Sequence, residues 1–135
     1  MLIVKTKLKY SEIHGLGCFA AEDIKKGQTV WRFDQGIDLT FSENDLKQLP
    51  TSFVEFLKTY AYSPLNYNCN NNDNDKKYIL CADNARHMNH SDDPNLDETP
   101  DGLNIALRNI KIGEELTCNY NQFDKDAAFK LGKLK

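Results

Sequence analysis

Apolar residues along this chain come in short runs, and glycines break the runs in its first quarter. Met1 to Tyr10 begins with a β-prone run and then alternates loosely, which predicts an opening strand. His14-Gly15-Leu16-Gly17 predicts a turn, followed by the apolar stretch Cys18-Phe19-Ala20-Ala21. Lys25-Lys26-Gly27 predicts a second turn, and Thr29 to Phe33 a strand. The middle changes period. Phe53, Phe56, Leu57 and Tyr60 fall at helical spacing and make one apolar stripe. Ser42-Glu43-Asn44-Asp45 and Ser52-Phe53-Val54-Glu55 each have the form of a capping box, and Pro50 separates the two helical pieces. Asn66 to Asp75 is polar and asparagine-rich and predicts a loop. Tyr78 to Ala82, the alternating Leu103, Ile105 and Leu107, and Leu116 to Tyr120 predict further short strands. Asp126 to Lys135 predicts a terminal helix, with Ala127, Ala128, Phe129 and Leu131 on its buried side. The pattern as a whole predicts a mostly β architecture with a helical insert.

Composition narrows the function classes. The chain has 135 residues, enough for one domain with its own core. Apolar residues make up 40% and charged residues 27%, as in an ordinary globular protein. A net charge of −3 gives no basic footprint for direct nucleic-acid binding. No apolar run approaches a membrane span, and the N-terminal run is too short for a signal peptide. The expectation is an intracellular protein, cytoplasmic or nuclear, or inside a host cell if a pathogen exports it. Cys18, Cys69, Cys81 and Cys118 are scattered, without a C-x-x-C pair, and are expected as reduced thiols.

Two polar segments carry the chemistry: Asn89-His90-Ser91-Asp92-Asp93-Pro94-Asn95 and Gly113-Glu114-Glu115-Leu116-Thr117-Cys118-Asn119-Tyr120. Asn and His between apolar strands are costly if buried without partners, so a plain solvated loop does not account for them. His87 and His90 lie three apart, and with Asp92, Asp93 or Asp97 they define an alternative reading, a metal-dependent hydrolase. The following Asp-Pro and the lack of H-E-x-x-H argue for a loop instead. Gly15-x-Gly17 on its own is a tight turn or a close approach to a ligand.

Taken in order, these segments resemble the signature of SET-domain protein-lysine methyltransferases. NHS-x-x-PN and GEELT-x-NY are the specific elements. His14 to Ala20, Ile24 to Gln28 and Asp83 to Met88 extend the likeness. The resemblance implies a β-clip, SET-like fold: several small curved β-sheets, a helical insert at about 42–62, and a closing segment at about 121–135 with a C-terminal helix and a pseudo-knot. The whole chain, 1–135, would be one such domain, like the small stand-alone members that lack the cysteine-rich zinc tail. The implied cofactor is S-adenosylmethionine, released as S-adenosylhomocysteine, with no metal. The implied partner is a lysine-containing protein, with histones among the candidates, met by a monomer or a weak homodimer.

Roles follow from the same resemblance. Tyr120 matches the catalytic tyrosine. His14, Leu16, Gly17, Tyr60, Arg86, Asn89, His90, Tyr120 and Phe123 are expected at the cofactor, with Phe123 near the adenine and Phe129 packed behind it. Tyr62, Cys118 and Tyr120 are expected at the substrate lysine. The chemistry is physically sound. A lysine amine must be neutral to accept a methyl group, yet its usual pKa is about 10.4. An apolar channel beside a sulfonium cation lowers that value by desolvation and by like charge. Cys118 stands where relatives carry an aromatic residue, which bears on how many methyl groups fit. Asp92 replaces a frequent cysteine, and Phe33 to Gly36 lacks the usual glutamate. Cys118 and the missing cysteine tail motivate the alternative function, a non-catalytic SET-like module that binds a lysine-bearing peptide or S-adenosylmethionine.

Overall fold

The computed structural model describes residues 1–65 and 76–133; the expected asparagine-rich loop and the last two residues lie outside the described residues. Among the described residues, four small sheets make up the β architecture. β1 (Thr6–Tyr10) and β2 (Leu16–Ala20) form an antiparallel hairpin. Its turn closes with Ser11 N–H donating to the Gly15 carbonyl at 2.8 Å, and Gly15 takes φ +47°, which a residue without a Cβ adopts freely. β3 (Thr29–Arg32), β8 (Leu103–Ala106) and β7 (Leu96–Glu98) form an antiparallel sheet with β8 in the centre. β4 (Leu39–Ser42) pairs with β5 (Lys77–Leu80). β6 (Asn89–His90) pairs in parallel with β9 (Thr117–Cys118).

The core lies where these sheets meet. Cys18, Ile24, Val30, Leu96, Ile110 and Leu116 are essentially inaccessible and belong to one cluster. Each comes from a different short segment, so no single sheet could bury its apolar face alone. A second cluster gathers Leu57, Ala61 and Leu80 with Phe41, Phe53, Phe56 and Tyr60 around them. This is the helical stripe read from the sequence, packed against β4 and β5.

The two predicted capping boxes behave differently. Ser42 caps α1 (Glu43–Lys47) with the full reciprocal pair, Ser42 to Asp45 N–H and Asp45 to Ser42 N–H. α2 (Thr51–Tyr60) instead begins at Pro50, which has no side-chain cap, and Ser52 lies inside the first turn. Pro50 has φ −56°, pre-set for helix entry, and its carbonyl already accepts from Phe53 N–H. The C-terminal helix is shorter than expected: α3 spans Ala127–Lys130. Ala127 is buried as predicted, but Phe129 is 58% exposed, because a single helical turn has no second side to bury it.

Candidate active site

The parallel β6–β9 pair joins the two polar segments side by side, in register Asn89 to Thr117 and His90 to Cys118. The asparagine after Pro94 locks them. Asn95 Nδ2 donates to the Glu115 carbonyl at 2.8 Å, and Asn95 Oδ1 accepts from Thr117 N–H at 2.8 Å. The buried amide thus satisfies a backbone acceptor and a backbone donor on the partner segment, which is why Asn is suited to this place. Asn89 Nδ2 lies within bonding distance of the His14 and Leu16 carbonyls and of Glu115 Oε1, at 3.0, 3.2 and 2.8 Å. Glu115 Oε2 accepts from Ser11 Oγ at 2.8 Å. The hairpin turn is therefore tied to β6 through one carboxylate. Gly17 lies directly over that carboxylate. A Cβ there would collide with Glu115 Oε1, so the close approach requires glycine.

Tyr120 follows β9 and closes the arrangement. Its hydroxyl donates to the Met88 carbonyl at 2.6 Å. Its backbone N–H donates to His90 Nδ1 at 3.1 Å, which fixes the tautomer with hydrogen on Nε2, facing Asp92 Oδ1 at 3.1 Å. Burial first, and then the neighbouring Cys118, push the Tyr120 phenol well above its usual range, so it stays protonated. Cys118 is buried and its thiol is pushed up to about 12. It is a packing residue, not a nucleophile.

Two clefts meet at this tyrosine. One is an open groove lined by His14, Leu16, Asn89, His90 and Phe129. The other is a cavity lined by Trp31, Tyr62, Cys118 and Phe123. Tyr60, Arg86, Met88, Tyr120 and Lys130 border both and form the partition. The cavity walls are aromatic. Tyr62 meets Trp31 and Phe123 edge to face at 6.3 and 5.4 Å, and Phe123 meets Tyr120 at 5.9 Å.

The residues singled out from the sequence divide along these clefts. His14, Leu16, Tyr60, Arg86, Asn89, His90 and Tyr120 all border the groove. Gly17 does not border the groove; it packs against Glu115, the carboxylate that holds Asn89. Phe123 lies in the cavity with Tyr62 and Cys118, and Phe129 borders the groove, so these two phenylalanines stand on opposite sides of the partition. Tyr60 packs on His87 and Phe56 at 5.2 and 4.8 Å. The Arg86 guanidinium sits 5.9 Å from the Phe56 ring, and no carboxylate among the described residues pairs with it. The two histidines of the metal reading are otherwise engaged, His90 by Tyr120 and Asp92, and His87 by Tyr60. Among the described residues no three such groups gather to hold a metal ion.

Trp31, Glu98, Asn104 and Lys130 also line the cavity and are not among the site residues expected from the sequence. Lys130 Nζ donates to the Ala61 carbonyl and to Asp124 Oδ2, and lies 6.0 Å from the Tyr120 ring. Asp124 is almost fully buried and also accepts from Ser63 N–H and Asp126 N–H. Trp31, Asn104 and Glu98 are register partners across β3, β8 and β7. Only the strand pairing reveals that they form one row.

The SET-domain family model matches residues 15–121. The chain belongs to the SET-domain family. No curated protein sequence matches it. A candidate histone methyltransferase from Plasmodium falciparum is similar in structure, at 24% identity over 87% of this chain and 93% of its own, with a TM-score of 0.53. A humanized mutant of the Chaetomium thermophilum Polycomb Repressive Complex 2 bound to the inhibitor GSK126 is similar at 22% identity and a TM-score of 0.63, over 93% of this chain and 16% of that one. The same complex in an autoinhibited conformation bound to S-adenosylmethionine gives 22% identity and 0.62, over 96% and 17%. This chain therefore spans about a sixth of the length of those Chaetomium chains. At such identities the likeness establishes the fold.

Proposed function

We propose that this protein transfers a methyl group from S-adenosylmethionine to the side-chain amine of a lysine in a protein substrate, a histone being the first candidate. One observation carries the reading: an open groove and an aromatic cavity meet at the hydroxyl-bearing Tyr120, each on its own side of a shared partition. The groove suits the cofactor. Arg86, which no carboxylate among the described residues pairs with, is placed for the donor's carboxylate, and Leu16, Phe129 and Leu131 supply apolar surface for its nucleoside. Bound there, the cofactor would supply an activated methyl group on a cationic sulfur.

The chain's own residues do the rest. Tyr62, Phe123 and Trp31 wall the cavity with rings that accept the aliphatic stem of a lysine and exclude water from its head. Desolvation there lowers the pKa of the entering amine. Tyr120, kept protonated by burial and anchored on Met88, holds the junction of the two clefts in fixed geometry, and such positioning accounts for much of a displacement reaction's acceleration. The bridge between Pro64 and Asp124 and the bond from Leu65 N–H to the Phe123 carbonyl support the closing segment as part of the family's pseudo-knot.

The test is transfer of labelled methyl from S-adenosylmethionine to purified core histones, wild type against Tyr120→Phe. Transfer by the wild type that drops steeply in the variant is expected; equal transfer in both rejects the role of Tyr120. A second reading, a binding module without turnover, is favoured by Lys130, whose ammonium is held at the partition. Saturable cofactor binding without transfer to any lysine peptide in a broad array would select it.

A further inference from the structure

The row Trp31–Asn104–Glu98 runs across one face of the β3–β8–β7 sheet, and all three side chains line the aromatic cavity. A polar row is a costly wall for an apolar channel unless something completes it. It is incomplete as it stands. Trp31 is 4% exposed, and its Nε1–H has no hydrogen-bond partner among the described residues; neither has the buried Asn104 Oδ1. No hydrogen bond or ion pair among the described residues reaches the Glu98 carboxylate. The other carboxylate lining this cavity, Asp124, is already engaged by Lys130 and two backbone N–H groups.

We propose that Glu98 receives the ammonium of the substrate lysine and takes its proton, with Asn104 Oδ1 as a second acceptor beside it. This rests on the methyltransferase reading above and adds a base to it. In the step, one N–H bond of the ammonium breaks and an O–H bond forms on Glu98. The nitrogen keeps the electron pair, and Glu98 returns the proton to solvent. Among the described residues that line the cavity, no other group is suited to the task. Burial holds Tyr62, Tyr120 and Cys81 protonated well above their usual ranges and pushes Cys118 up to about 12. Glu98 is pushed up to about 7 by burial, with Asp97 adding to it, which places its proton affinity near working pH. The charged groups bordering the cavity from other elements are Arg86, from the turn Asn84–His87, and Lys130 and Asp124 of the closing segment. Lys130 is neutralised by Asp124, but Arg86 has no paired carboxylate among the described residues, and its charge lowers the lysine's hold on its proton and brings donor and acceptor toward balance.

The experiment uses the full chain with 13C-labelled glutamate carboxyls, read by NMR between pH 5 and 9, with n-butylamine as the probe for the lysine side chain. The resonance missing in Glu98→Gln identifies the group. We expect it to titrate near pH 7 in the free protein and to move down by roughly one unit or more with butylammonium bound. Glu98→Gln should lose about 10²-fold in transfer to core histones, and its log rate should rise steadily with pH without the wild-type inflection. Glu98→Asp should restore the inflection. A Glu98 signal that ignores butylamine, or a Glu98→Gln variant with the wild-type pH profile, overturns the base while leaving methyl transfer standing. A wild type inert toward core histones that still shows the butylamine shift overturns the methyltransferase reading, and the base role with it.

Discussion

The two sides of the partition are built by opposite rules. On the groove side the polar side chains that join β6, β9 and the hairpin turn have partners within the protein: Asn89 reaches two carbonyls and Glu115, Asn95 clasps β9, and His90 receives Tyr120 N–H. On the cavity side, buried polar atoms of Trp31 and Asn104 have no partner among the described residues, and Glu98 stands half-buried without an ion pair among them. A satisfied network fixes shape before any ligand arrives. An unsatisfied wall gains most when a polar guest completes it. The contrast teaches that one cleft is preorganised for a constant ligand and the other is left open to chemistry.

Predictions bear on this contrast in descending order of effect. Lys130→Met leaves Asp124 buried without its cation and should cost about 3 kcal/mol of stability, read as a fall in the urea midpoint. A neutral result would mean that the neck does not depend on this pair. Tyr120→Phe removes the bond to Met88 and should lower methyl transfer by roughly 10²-fold while calorimetry finds cofactor affinity within a few-fold of wild type. Asn89→Ala strips the donor from two carbonyls and a carboxylate, and about 2 kcal/mol of stability should go with it. Cofactor binding should weaken as the hairpin turn is released. Full cofactor affinity in that variant would break the claim that the groove is preorganised. Ser42→Ala, at the α1 cap and outside both clefts, should cost about 1 kcal/mol and leave cofactor binding alone.

A pH signature of the open wall completes the comparison. Glu98 has its pKa raised in the folded state to about 7, above the ordinary carboxylate value. Its contribution is fully present below the unfolded pKa and is lost as pH rises through the folded one. Wild type should therefore lose stability relative to Glu98→Gln between about pH 4.5 and 7. Urea midpoints of the two proteins at pH 5 and pH 8 provide the check. A difference that stays constant across that window would place Glu98 in solvent.

The groove was largely legible in the sequence, because its contacts are made within and between two contiguous segments. Asn89, His90 and Tyr120 are brought together by β6 and β9, and the Asn after Pro94 is the clasp between them. The cavity was not. Trp31, Asn104 and Glu98 share a wall only through strand register, and the stretches of chain between them are unrelated in pattern. Asn104 lies between Leu103 and Ile105 and reads as the solvent side of a half-buried strand, whereas its Oδ1 is buried. Lys130 looks like the polar face of a terminal helix until Asp124 and Ala61 are placed beside it. Phe123 and Phe129 were assigned by likeness to one neighbourhood, and the partition separates them. The second capping box failed because Pro50, two residues earlier, had already set the helix start.

The central claim is that a methyl donor in the groove presents its methyl at Tyr120, toward the cavity. S-adenosylmethionine carrying a 13C-methyl group, bound to the full chain, tests this directly through its NMR contacts. The account predicts contacts from that methyl to the Tyr120 ring and to the Met88 side chain. Saturable binding with the methyl in contact only with Phe129 and Leu131, and not with Tyr120 or Met88, would contradict it.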